Sequence, residues 1–116
     1  MENKEIVIKE IVGSANWIQV SDGAKVYAEI QPLLSAGTKV VLSFEGRDFV
    51  ITAFLNAAIG KLYNGQFTEE QLSLLSYANT DPSDDAKIRR VIDNAKLYYG
   101  NNPEFRNELF KQEAET

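Results

Sequence analysis

The sequence predicts an α/β domain, built on a small mixed or partly parallel sheet with helices packed mainly on one face. Segments rich in β-branched residues alternate with segments whose apolar residues recur at helical spacing. The apolar run at residues 40–42 reads as a strand buried on both sides, as in the middle of a sheet. Strands separated by helices pair in parallel through right-handed crossovers, which lay the helices on the sheet. With so few strands, the helices share one face. The other face is then charged, covered or used for assembly.

The elements follow in order. Residues 5–12 are β-rich and bounded by Gly13-Ser14, which reads as a strand. Trp17-Ile18-Gln19-Val20 reads as a second short extended piece. Ser21-Asp22-Gly23 signals a helix start, because a Ser or Asp oxygen caps the free N–H groups of a first turn. Val26, Ile30 and Leu33 or Leu34 form the stripe of that helix. Pro32 predicts a kink, or an end of regular helix near Gln31, and Gly37 closes the segment. Residues 38–44 are the clearest strand. Glu45-Gly46-Arg47-Asp48 is a turn, and Phe49-Val50-Ile51 is again extended. Thr52 is the expected cap of a helix whose stripe is Leu55, Ala58, Ile59 and Leu62, with Gly65 just past its end. Thr68 and Gln71 have capping-box spacing, so a turn of helix precedes a strand within residues 72–78. Asp81-Pro82 opens the last long helix, with Ile88, Val91, Ile92, Ala95 and Tyr98 or Tyr99 on its apolar side. Gly100-Asn101-Asn102-Pro103 is expected to break it. Residues 1–100 then form one domain, and residues 101–116 form a C-terminal extension that reads as a short helix.

Composition removes several classes of function. The chain of 116 residues contains no cysteine and no histidine. Disulfides, thiolate catalysis, zinc–cysteine sites and triads built on either residue are excluded. The net charge of −5 argues against non-specific nucleic-acid binding. The mixed-charge start does not read as a signal peptide, and no window approaches the ~18 apolar residues of a membrane span. A cytoplasmic protein is the simplest reading. Neither GxGxxG nor GxxxxGK[ST] occurs. Asp81, Asp84 and Asp85 read as a helix start rather than a magnesium site, and Arg89-Arg90 as surface charge. No cofactor, metal or enzymatic activity is expected. Phe105 and Phe110 read either as a homodimer or partner contact or as residues folded back on the core.

Two groups of residues are candidates for function. Thr52 stands where a strand gives way to a helix, and a helix start tolerates added negative charge. It reads either as a plain cap or as a phosphoacceptor. Ser14, Ser21, Asp22 and Thr52 are polar residues placed to line a ligand crevice at strand-to-helix junctions.

A resemblance sharpens the first group. Residues 39–46, then Thr52-Ala53-Phe54-Leu55-Asn56-Ala57-Ala58-Ile59-Gly60, resemble a bacterial STAS-like domain family of unknown function. Asp22-Gly23 with Val26, Tyr27 and Ile30, and Ile88-Arg89-Arg90-Val91-Ile92 with Asp93, also resemble it. The family is similar in turn to the STAS domains of anti-anti-sigma factors, which bind histidine-kinase-like ATPases. Their motif, Asp-Ser-Ser-Gly-x-Gly, falls without gaps on Ile51, Thr52, Ala53, Phe54, Leu55 and Asn56. Thr52 matches only the first serine. Ala53 occupies the phosphoacceptor position without a hydroxyl, so the family's phosphorylation switch does not carry over.

The resemblance implies a non-catalytic interaction domain. It would regulate or bind a histidine-kinase-like ATPase through Thr52, Ala53, Phe54 and Asn56. Phe54 reads as an interface anchor or, alternatively, as a core residue. The other functional reading is a small-ligand or nucleotide sensor using Ser21 and Asp22.

Overall fold

The computed structural model describes residues 3–101. Five strands and five helices run in the order β1 (Asn3–Val7), α1 (Ile8–Val12), β2 (Asn16–Trp17), α2 (Val20–Ser35), β3 (Lys39–Ser43), β4 (Phe49–Val50), α3 (Thr52–Ala58), α4 (Glu69–Leu72), β5 (Leu75–Ala78) and α5 (Pro82–Asn101). A 3₁₀ turn spans Gly60–Tyr63 between α3 and α4. The expected C-terminal extension, with Phe105 and Phe110, lies outside the described residues.

One sheet has the order β1-β3-β5 and is parallel throughout, with Ile6 beside Leu42 and Leu42 beside Tyr77. The strands advance in one direction, so right-handed crossovers place both connections on the same face. Burial agrees. Ile6, Val40 and Leu42 face the helices and are buried. Glu5 and Ser76 face the other way and are exposed, with Val41 half-buried between them. The helices therefore do cover mainly one face.

A second, two-stranded parallel ribbon pairs β2 with β4. Asp48 and Phe49 donate backbone bonds to the Ala15 carbonyl at 2.8 and 3.1 Å, and the Ile51 N–H reaches the Trp17 carbonyl at 3.2 Å. Each strand of the ribbon runs directly into a helix. Both α2 and α3 thus leave it side by side and pack on each other. The contact is close. A Cβ added to Gly23 would lie 2.5 Å from the Phe54 carbonyl oxygen and 2.9 Å from the Ala57 Cβ.

Several sequence expectations change. The first strand ends at Val7, and residues 8–12 are helical. Its partner β3 stops at Ser43, so nothing remains for residues 8–12 to pair with. Ile8, Ile11 and Val12 then serve as an inward stripe at helical spacing, against β-branched propensity. Gly13, left-handed at φ +79°, ends the turn. Pro32 does not end α2. It sits in the last turn, where buried Leu34 holds the chain helical through Ser35. The α2 start lies at Val20, and the Gln19 carbonyl accepts from Asp22 and Gly23; neither Ser21 nor Asp22 is its cap. Thr52 is likewise no cap. Ile51 is the N-cap residue, Thr52 is the first helical residue, and no side chain caps α3. Gly100 does not break α5, which continues to Asn101. The capping box at Thr68 and the helix start at Asp81 hold, and Asp84 turns the second into a reciprocal box as well. Thr68 and Gln71 bond reciprocally, and the Asp81 and Asp84 carboxylates each accept from the other's backbone N–H, at 2.8 and 3.1 Å.

No helix of the described residues is long and apolar enough to cross a membrane. The Gly23 contact sets a measurable constraint. Gly23→Ala is expected to lower the unfolding free energy by about 1–3 kcal/mol, because two helices must separate to admit one methyl group. Denaturant titration of the purified variant measures it.

Candidate functional site

The ribbon decides which side chains reach the surface near the helix starts. Alternation sends Trp17 and Val50 to one side and Ile18 and Phe49 to the other. Trp17 and Val50 are buried. The Trp17 indole donates to the Ser14 carbonyl at 2.8 Å and stands edge-on to Phe44, ring centroids 5.4 Å apart. The opposite side is wet. Ile18 is 49% exposed and Phe49 53%, while Val20, the first residue of α2, is 56% exposed. These three are among the most exposed large apolar side chains of the described residues, and all three flank the helix starts.

The first turns of α2 and α3 complete this face. Contact between Gly23 and the Phe54 backbone brings Ser21 and Asp22 to within a helical turn of Thr52 and Ala53. Ser21 is exposed, and its hydroxyl lies 3.4 Å from the Gln19 side-chain oxygen. Asp22 is half-buried, with the Lys25 ammonium 3.6 Å away. Thr52 is half-buried, and Ala53 and Asn56 are exposed. Ser14 is half-buried behind the face and accepts from the Asn16 N–H at 3.0 Å.

Phe54 takes its inward alternative. Its ring is fully buried and stacks on Trp17, with centroids 5.7 Å apart and planes 29° from parallel. It is not on the surface as an anchor. Sequence reasoning missed the three apolar residues that are. The signal was the alternation about Trp17: once its large ring is assigned to the core, Ile18 must face outward.

Two basic residues tie this face to α5. Arg47, in the β3–β4 turn, places its Nη2 2.7 Å from Asp81 Oδ2. Its Nε lies 2.8 Å from Oδ1 of buried Asp84, in a geometry too bent for an aligned hydrogen bond, so that contact is electrostatic. The Lys87 ammonium donates to the Val50 carbonyl at 3.0 Å, two residues before Thr52. The backbone N–H of Asp84, then the Arg47 guanidinium, hold the Asp81 carboxyl below the usual carboxylate range.

Clefts of about 250, 290, 350 and 490 Å³ are among those on the described residues. Asn56 lines the one of about 290 Å³, beside Gly60 and Asn94. Ser14, Ser21, Asp22 and Thr52 line none of the four.

A family model described as "STAS-like domain of unknown function (DUF4325)" matches residues 22–85. The chain belongs to this STAS-like family. The match runs from the first turn of α2 to the first turn of α5. It therefore spans the α2–α3 contact, β3, β5 and the positions aligned with the STAS motif. No curated protein and no solved structure matches the chain.

Two outcomes are expected. Phe54→Ala should cost about 3–5 kcal/mol of stability, since it empties a core position beneath Trp17; chemical denaturation measures this. Asp81 titrates lower folded than unfolded. Its contribution is therefore full above the ordinary carboxylate pKa and is lost as pH falls through the folded value. Asp81→Asn keeps a good capping side chain and loses the charge. Its stability should decline less steeply than the wild type's as pH falls below the ordinary carboxylate pKa, in a pH series of denaturant titrations.

Proposed function

We propose that this STAS-like domain is a non-catalytic protein-interaction module. On this reading it acts in the cytoplasm and binds a histidine-kinase-like ATPase through the face formed by the starts of α2 and α3. The observation that carries the reading is the cluster of exposed Ile18, Val20 and Phe49 around these starts. A patch of large apolar side chains rimmed by polar groups suits an interface core. Ser21, Asp22, Thr52 and Asn56 supply the rim, and Ala53 leaves room for a close approach. The family resemblance supplies the partner class, because the STAS motif of ATPase-binding relatives aligns with the start of α3. A net charge of −5 favours a protein partner over nucleic acid. Thr52, the residue aligned with the first serine of the motif, is the candidate phosphoacceptor of this face.

Affinity purification from native cells, with mass spectrometry of partners and of Thr52, tests the proposal. Wild-type protein is expected to retain an ATPase of this class. Phe49→Glu and Asn56→Arg should each weaken that complex roughly tenfold or more while leaving the melting temperature close to wild type. Undiminished capture by both variants overturns the assignment of this face. Consistent absence of an ATPase from the wild-type eluate overturns the partner class.

A further inference from the structure

The geometry points to a second surface, the free edge of β5 with the flank of α5 above it, as the contact between two copies of this chain. This surface shares no residue with the helix-start face, so the inference stands apart from the proposed function.

The backbone supplies the first argument. Val40 and Phe44 donate to the carbonyls of Leu74 and Ala78. In a parallel ladder the hydrogen-bonding direction alternates by residue, so residues 74, 76 and 78 face β3. The N–H and C=O groups of Leu75 and Tyr77 point outward, with no partner among the described residues. Edge strands that must stay unpaired carry charge or proline. The opposite edge, β1, has Lys4 and Glu5. Strand β5, Leu75-Ser76-Tyr77-Ala78, has neither device.

The cleft beside this edge supplies the second argument. It measures about 350 Å³ and has Tyr77, Ile88 and Ile92 as its apolar lining. Burial of its ring pushes the Tyr77 hydroxyl above the ordinary phenol range, so the group stays neutral. Along the rim, α5 presents Asp85, Arg89, Asp93 and, further on, Lys96, spaced to share one side of the helix. Asp85, Arg89 and Asp93 form no ion pair with described residues, and Lys96 rests near the Tyr63 ring at 5.9 Å.

The order of these charges selects the occupant. It reads minus, plus, minus, plus. A two-fold axis reverses the order in the second copy, so Asp85 meets Lys96 of its mate and Arg89 meets Asp93. The pattern is complementary to its own reversal, as an isologous interface requires. The strand obeys the same axis. A dyad at Ser76 pairs Leu75 with Tyr77 of the mate through both backbone bonds, in antiparallel register. Helix α5 runs back along β5, from Asp81 at its C-terminal end to Lys96 near Leu72 and Ser73 before it. Both centres therefore fall abreast of the same part of β5. The product is a continuous six-stranded sheet with two α5 helices flanking the dyad.

Sedimentation and amide hydrogen exchange of the full chain test this. The wild type is expected at twice the monomer mass, with Leu75 and Tyr77 amides whose protection rises with protein concentration. Ser76→Lys, an exposed edge position, and Arg89→Glu should each weaken the dimer by roughly tenfold, the latter because two symmetry-related pairs turn repulsive. Arg89→Glu combined with Asp93→Arg restores complementarity and should recover it. A wild type that stays monomeric at high micromolar concentration overturns the proposal. So does a dimer indifferent to both single variants, or protection independent of concentration, which would place residues 102–116 of the same chain or another internal segment on the edge.

Discussion

The close approach of α2 and α3 at Gly23 is the constraint on which the helix-start face depends. Two parallel strands, paired through only two residues each, launch two helices from one level. Helices launched so close can pack only if one carries no side chain at the crossing. Gly23 meets that need against the Phe54 carbonyl and Ala57. Once the backbones touch there, Phe54 has only the interior to occupy, and Trp17 receives it. What remains outside is fixed by elimination: Ala53 and Asn56 on α3, Ser21 on α2, and the ribbon residues whose neighbours went inward.

Charge then holds this unit against the rest of the fold. Asp84 is 1% exposed, and an ionised carboxylate so deeply placed needs a partner. Arg47 is that partner, and it comes from the turn that leads into β4. Lys87, one turn further along α5, satisfies the carbonyl of Val50, the last residue of β4. The first turns of α5 therefore grip both ends of the short segment that precedes α3. Asn79 serves a similar end at φ +60°, a left-handed conformation that asparagine tolerates better than most residues. Its amide donates to the hydroxyl of buried Ser43 at 2.9 Å. Polar groups thus accumulate at the C-terminal ends of β3 and β5, where the turns must be held in place.

Much of this fold was legible in the sequence where the deciding forces act within a few residues. The capping box at Thr68–Gln71 and the helix start at Asp81 depend on atoms within three residues of each other, and both were readable. The apolar run of β3 announced a central strand, and the Leu55, Ala58, Ile59 and Leu62 stripe is buried as its spacing implied. Distant partners decided the remainder. Residues 8–12 are β-branched enough for a strand and became helical because β3 is too short to pair with them. Thr52 and Ser21 look like caps by residue type, yet the cap positions fall one residue earlier, at Ile51, and two residues earlier, at Gln19, because the ribbon fixes where each strand ends. The candidate face was half legible. Thr52, Ala53 and Asn56 followed from the motif, whereas Ile18, Val20 and Phe49 required the β2–β4 register, which two-residue strands do not signal.

On the proposed reading, the face also bears on how a STAS-like domain could bind a partner with alanine at the position aligned with the motif serine. Position 53 is exposed but carries alanine; position 52 carries a hydroxyl but is half-buried. Accessibility and a hydroxyl thus fall on neighbouring residues, a single helical step of about 100° apart. A kinase acting on Thr52 would have to draw a half-buried side chain outward, at a place where α3 has no side-chain cap to lose. On the proposed reading, recognition then rests chiefly on apolar fit at Ile18, Val20 and Phe49. Such contacts do not depend on a phosphate, and their strength is set by shape and by the area removed from water. Control of binding would have to come from elsewhere in the assembly, through the supply of partner or the state of the second copy.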